Sequence, residues 1–210
     1  MFNAIRKNGA ILAIFACITT GIVALTNYLT TGQIKAQEKA QLLSILNQVV
    51  PKHLHDNPLA NTCTYVTNQA LLGTTDAMPA YIGTLDGKPS AVAIESIAPD
   101  GYSGAIKIIV GINYQGVITG TRVLSQQETP GLGDKIDIRV TDWILGFTGK
   151  QVTKENYDTW KVRKDGGEFD QFTGATITPR AVVKAVRNTV EYVNQHRDEL
   201  YSAAHHCEVK

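Results

Sequence analysis

Residues 170–179, "DQFTGATITP", crowd hydroxyl-bearing and small side chains ahead of a proline and an apolar-periodic run. Thr178 followed by Pro179 reads as a helix start, Thr178 as the cap and Pro179 as the first helical residue, because proline needs no donor there. A helix start leaves backbone N–H groups unpaired and carries the positive end of the helix dipole, which suits a phosphate. A hydroxyl in that position can hold a phosphate or be esterified by one. Thr173, Gly174, Ala175, Thr176 and Thr178 leave little side-chain bulk over two turns of chain, so a large group can lie against the backbone.

Other chemical motifs fail on spacing. "GLGDKI" from Gly131 has Ile136 where a dinucleotide fingerprint needs its third glycine, and no strand–helix–strand pattern surrounds it. In "GFTGKQ", Gly146 and Gly149 stand too close together for a phosphate loop, and Gln151 replaces the Ser or Thr. His205, His206 and Cys207 are adjacent ligand types in a polar tail, and His53 and His55 lie in an Asn- and Pro-rich stretch; neither has the spacing of a metal site. No C-x-x-C occurs, which removes the usual support for an iron–sulfur or zinc-ribbon reading.

The elements that position the threonine-rich stretch begin with a membrane anchor. Gly9 to Leu29 contains no charged residue. At about 1.5 Å per residue it is long enough for a hydrocarbon core of about 30 Å. Arg6 and Lys7 precede it and predict a cytoplasmic N-terminus by the positive-inside rule. The run is long for a cleaved signal peptide and lacks a clear A-x-A site, so an uncleaved anchor is expected. Everything beyond residue 30 then lies outside the cytoplasm, periplasmic in a Gram-negative cell. Cys63 and Cys207 would meet an oxidising compartment and can pair there, though spacing alone does not decide it; Cys17 falls within the span.

Ile34, Leu42, Ile45, Leu46 and Val49 recur at mostly helical spacing and stop before Pro51, predicting an amphipathic connecting helix. Residues 51–78 carry no assignable pattern. From Pro79, "AYIGTL", "SAVAIESIA", "GAIKIIVGIN" and "GVITGTRVLS" are β-rich runs separated by turn compositions, predicting an antiparallel meander. "VTDWILGFTG" reads as a short helix and turn, and "NYDTWKVRK" as a further strand. Val182, Val183, Val186, Val190 and Val193 mark one face of a helix running towards Glu199. The expected fold is α+β: an antiparallel sheet flanked by helices, with one N-terminal transmembrane helix. The expected parts are a cytoplasmic start (1–8), the span (9–29), the connecting helix (30–50), an extracytoplasmic domain (51–200) and a flexible tail (201–210). The 210 residues carry a net charge of +1, so no basic field favours nucleic acid.

Asp170, Thr173, Gly174, Ala175, Thr176 and Thr178 together match D-x-x-[ST]-G-A-[ST]-x-[ST], six fixed positions within nine. This resembles the flavinylation motif in which a flavin transferase joins FMN through a phosphoester to the final Thr. In "QQETPGLGDKI", Glu128, Thr129, Gly131, Leu132 and Gly133 are similar to the E-T-P-G-L-G segment of the same FMN-binding domains. With the single anchor, the chain resembles the G subunits of the Rnf (Rsx) electron-transport complexes over roughly residues 80–195. The paralogous C subunits of the sodium-pumping NADH:quinone reductase share both motifs but carry His before the second; Gln126 and Gln127 stand there, which favours the Rnf family.

The resemblance implies an electron carrier in the cell inner membrane rather than an enzyme with its own substrate. It implies one covalent FMN on Thr178, with Asp170 and Thr173 serving attachment or the loop's shape. Gly174, Ala175, Thr176, Glu128, Thr129 and Leu132 would contribute to the flavin site. The implied partners are a flavin transferase for maturation and the other subunits of a complex coupling ferredoxin and NAD to ion movement. A cofactor-free extracytoplasmic binding or assembly module is the remaining alternative, in which Thr178 is merely a cap.

Overall fold

A computed structural model describes residues 2–202 and Cys207. It divides into two compact units, residues 1–41 and 42–209 apart from the terminal residue. The first unit is the greater part of one long helix, α1 (Phe2–Val49). By length and composition α1 is a candidate membrane span. Its large apolar side chains from Ile11 to Leu29 are exposed, as a segment facing lipid would have them.

The second unit is built on five antiparallel strands in the order of the chain: β1 (Cys63–Val66), β2 (Met78–Leu85), β3 (Lys88–Ala98), β4 (Ile106–Asn113) and β5 (Ile118–Ser125). The four runs read as strands are β2 to β5. Leu85 pairs with Lys88 across a two-residue turn in which Asp86 (φ 52°) and Gly87 (φ 70°) are both left-handed. That is the turn whose twist matches a hairpin, and Asp-Gly is among its preferred sequences.

Strand alternation gives the sheet two apolar faces. Val92, Ile94, Ile108, Val110 and Ile112 pack against a long C-terminal helix (Ile177–Gln195) through Val182, Val183, Val186, Val190 and Val193, all buried. This helix is α3; the four-residue α2 (Gln69–Leu72) lies between β1 and β2. Ala91, Ala93 and Ile109 on the opposite face are covered by Leu46 and Val49, so the end of the connecting helix closes that side. Gly111 and Gly120 make this approach possible: a Cβ on Gly111 would collide with the Val49 carbonyl oxygen, and one on Gly120 would stand 2.8 Å from Val49 Cα. Thr119 Oγ1 donates to that same carbonyl oxygen.

Two expectations need correction, and two segments gain detail. The unassigned stretch 51–78 holds β1, hydrogen-bonded along Cys63–Val66 to β2, a partner that local pattern does not reveal. "VTDWILGFTG" forms the expected short helix, Asp142–Phe147, of 3-10 type, whose Thr141 side chain accepts from the Trp143 N–H. "NYDTWKVRK" is not a strand: it forms two 3-10 turns, Tyr157–Thr159 and Arg163–Asp165. Its Trp160 is drawn into an aromatic cluster with Phe147 and Phe169, so its apolar residues serve packing rather than a ladder. The last long helix stops at Gln195, and a separate short helix, α4 (Arg197–Ser202), continues past Glu199.

Cys63 and Cys207 form a disulfide, and the Cys207 N–H donates to the Cys63 carbonyl at 3.2 Å. The expected loose tail, with His205 and His206, lies outside the described residues except for Tyr201, Ser202 and Cys207.

Candidate FMN site

The threonine-rich segment is held from below by aromatic side chains. Trp143 packs edge-on against Phe172 (5.2 Å between ring centres) and Phe147 (5.4 Å), and Phe147 against Phe169 (4.7 Å). The Trp143 indole N–H donates to the Asp170 carbonyl at 2.8 Å. Phe172 to Ala175 then form a turn, with the Ala175 N–H donating to the Phe172 carbonyl at 3.1 Å and Gly174 at φ 81°. The third position of such a turn requires a left-handed residue, which explains Gly174.

The helix behind the turn begins earlier than the Thr-Pro signal indicates. α3 starts at Ile177, with Thr176 in the cap position at φ −78° and ψ −26°. Thr178 is therefore the second helical residue and Pro179 the third. Proline is tolerated there because the first turn of any helix has no intrahelical use for its N–H groups. This two-residue shift decides where the hydroxyl goes. A cap side chain would turn back onto its own helix, whereas Thr178 is fully buried and points at a neighbouring segment.

That neighbour is the Glu128–Gly133 stretch after β5. Thr178 Oγ1 donates to Glu128 Oε2 at 2.5 Å, and Glu128, only 5% exposed, accepts from the Ser103 N–H at Oε1, 3.0 Å. The Glu128 N–H in turn donates to Gln126 Oε1 at 2.5 Å. The Thr129 carbonyl accepts from the Leu132 and Gly133 N–H groups, closing the turn. Gly133 lies directly over the pair. A Cβ there would stand 2.6 Å from Glu128 Oε2 and 2.8 Å from Thr178 Oγ1. Leu132 reaches across to Gly174, 3.7 Å from where a Cβ would be. The chain past the turn is clipped by Asp137, which binds the Arg139 guanidinium and backbone N–H; that pairing holds its carboxyl below the usual aspartate range.

These two segments and the β3–β4 turn enclose a cleft of about 360 Å³. It is lined by Glu128, Thr129, Leu132 and Gly133 from one side and by Gly174, Ala175, Thr176 and Ile177 from the other, with Tyr102 at its edge. Of the residues singled out in the sequence, Glu128, Thr129, Leu132, Gly174, Ala175 and Thr176 line this cleft, and Thr178 lies behind it against Glu128. Asp170 and Thr173 do not line it. Both are exposed, and the Asp170 carboxylate pairs with Arg163 at 3.2 Å. Sequence reasoning missed Tyr102, Ser103 and Ile177. The first two sit in "PDGYSG", legible only as a turn, and no local signal tells which side of a turn faces a site.

The residues present fit FMN. Leu132, Ala175, Ile177 and Tyr102 offer apolar surface to a flat ring system, of the kind ligand clefts use. The start of α3 offers N–H groups and a positive dipole end to a phosphate.

Comparison with known proteins agrees with this geometry. Residues 101–191 match the family described as FMN-binding domain, and residues 1–49 match the RnfG N-terminal region. The chain is 70% identical to the G subunit of the ion-translocating oxidoreductase complex of Vibrio parahaemolyticus over 207 residues, 99% of this chain and 98% of that protein. It is 55% identical to the protein of the same description from Shewanella oneidensis, over 100% of this chain and 99% of that protein. A third, from Aliivibrio fischeri, is also 55% identical, over the full length of both. These matches do not favour the sodium-pump C subunit or a cofactor-free module. The chain thus belongs to the G-subunit family of ion-translocating oxidoreductase complexes, the Rnf complexes, and carries their FMN-binding domain.

Proposed function

We propose that this subunit is a membrane-anchored electron carrier with one FMN joined through a phosphoester to Thr178, relaying electrons within an ion-translocating ferredoxin/NAD oxidoreductase complex. The observation that carries the reading is the Thr178 hydroxyl, buried at the start of a helix behind a cleft lined by both sequence motifs. When bound, FMN supplies one- and two-electron redox chemistry.

The chain's own residues hold and shield the group. Leu132, Ala175, Ile177 and Tyr102 would offer apolar surface to its ring, Gly174 and Thr176 would leave room for it beside the backbone, and the Thr129 carbonyl fixes the turn on the opposite wall of the cleft. Asp170 and Thr173 shape the loop: the Asp170 backbone carbonyl is tied to Trp143, and its side chain to Arg163. A helix start contributes only about 0.3–1 kcal/mol to binding a single negative charge. That is too little to retain a cofactor where none is resupplied, which is the physical reason for a covalent link made by a flavin transferase.

The same reading places α1 in the cell inner membrane as a single pass, residues 1–8 in the cytoplasm, 9–29 in the lipid, 30–50 as the connecting helix and 51–200 in the periplasm. The Cys63–Cys207 disulfide supports this orientation, since such bonds persist in the periplasm and are rare in the cytosol. The test is expression of the full chain with a flavin transferase, followed by denaturing electrophoresis and in-gel fluorescence. A fluorescent band in the native sequence and a dark one for Thr178→Ala is expected. A dark native band, with the transferase active on a control protein, refutes covalent attachment.

A further inference from the structure

We propose that Glu128 is the general base for flavin attachment, an inference that rests on Thr178 being the attachment residue. Thr178 Oγ1 must lose its proton as it becomes bonded to phosphorus, and an aliphatic hydroxyl is a weak nucleophile until an adjacent base receives that proton. The acceptor in place is Glu128 Oε2, 2.5 Å from Thr178 Oγ1. That is at the short edge of the reach a general base requires.

The surroundings hold the carboxylate to this task. Its second oxygen is occupied by the Ser103 N–H, and its backbone N–H by Gln126, so rotation away from Thr178 would sacrifice a buried hydrogen bond. Gly133 keeps the space over the hydroxyl free of side chain. In the transfer, a flavin dinucleotide is the phosphoryl donor. Thr178 Oγ1 bonds to the flavin-side phosphorus, the bond from that phosphorus to the bridging oxygen breaks, and the nucleoside monophosphate leaves carrying the bridging oxygen and that bond's electron pair. The Thr178 proton passes to Glu128 Oε2.

Glu128→Gln separates proton acceptance from positioning. The glutamine amide keeps the shape and can still hydrogen-bond the Thr178 hydroxyl, but it cannot take the proton. The assay uses the full chain in detergent with purified flavin transferase and flavin dinucleotide, and follows attachment by intact mass over time. Glu128→Gln is expected to slow labelling about 100-fold, the lower end of general-base contributions. Labelling of Glu128→Gln within about threefold of the native rate overturns the proposal, a general base being worth more than that. Glu128→Ala with added formate is the second measurement, since a small carboxylate can enter the vacated space. Formate-dependent recovery of labelling supports the base role even if Glu128→Gln folds poorly, and no recovery in folded Glu128→Ala overturns it. Failure of the native chain itself to label, beside a labelled control protein, counts instead against Thr178 attachment.

Discussion

Gly133→Ala is the sharpest test of the site's geometry. Gly133 has no left-handed φ, so alanine meets no backbone penalty and its effect is steric. The new methyl would stand 2.6 Å from Glu128 Oε2, 2.8 Å from Thr178 Oγ1 and 2.9 Å from Glu128 Cβ, all closer than side-chain atoms tolerate. The carboxylate end is the flexible partner and must move, which breaks the bond from Thr178 and leaves buried polar atoms unpaired. A hydrogen bond to a charged group contributes about 1.5–3 kcal/mol. For a domain of this size, each kcal/mol shifts the melting midpoint by roughly 2–4 °C, giving a fall of about 3–12 °C. Thermal unfolding of the flavin-free full chain in detergent, followed by circular dichroism, reads this directly. Gly146→Ala is the control, because nothing lies within 4 Å of its Cβ and its φ is not left-handed; it should change the midpoint little. Equal midpoints for Gly133→Ala, Gly146→Ala and the native chain would refute the close packing of Gly133 on the Glu128–Thr178 pair.

Other perturbations probe the frame around the site. The disulfide joins residues 144 apart in sequence, so Cys63→Ser should cost about 2–4 kcal/mol; an unchanged midpoint under non-reducing conditions would contradict its structural role. Gly111→Ala forces a methyl onto a backbone oxygen of Val49, which cannot rotate away, and should cost about 3 kcal/mol or prevent accumulation; a native-like midpoint would argue against the seat of the α1 end on the sheet. Asp137 has its carboxyl pKa depressed by Arg139, so its contribution is present above the unfolded value of about 3.9 and is lost as pH falls through the folded value. Asp137→Asn should therefore be less stable than the native chain near neutral pH, by about 1 kcal/mol, given how exposed Arg139 is. The gap should close in strong acid; a gap constant with pH would contradict the ion pair.

The parts of the fold that were legible in the sequence are those written in local pattern. The valine stripe from Val182 to Val193 became the buried face of α3, and the Asp86-Gly87 turn set the pairing of Leu85 with Lys88, beyond which a bulge at Gly83/Thr84 shifts the β2–β3 register by one residue. β1 was not legible, because Cys63–Val66 is made a strand by its neighbour β2 rather than by its own alternation. The stretch around Trp160 mimicked a strand because aromatic packing and strand packing demand the same residue types. Most of the cleft's walls were readable through the two motifs. The pairing between them was not: Glu128 and Thr178 lie 50 residues apart, and only the helix start at Ile177 turns the hydroxyl toward the carboxylate.

The proposed attachment of FMN to Thr178 is best examined by peptide mapping of the subunit purified from native membranes, with tandem mass spectrometry of the fragment spanning residues 170–180. A single FMN-sized mass increment is predicted on that fragment, localised to Thr178 and absent from Thr173 and Thr176. An unmodified fragment from a complex that is otherwise assembled and active, or an increment on another threonine, would contradict it.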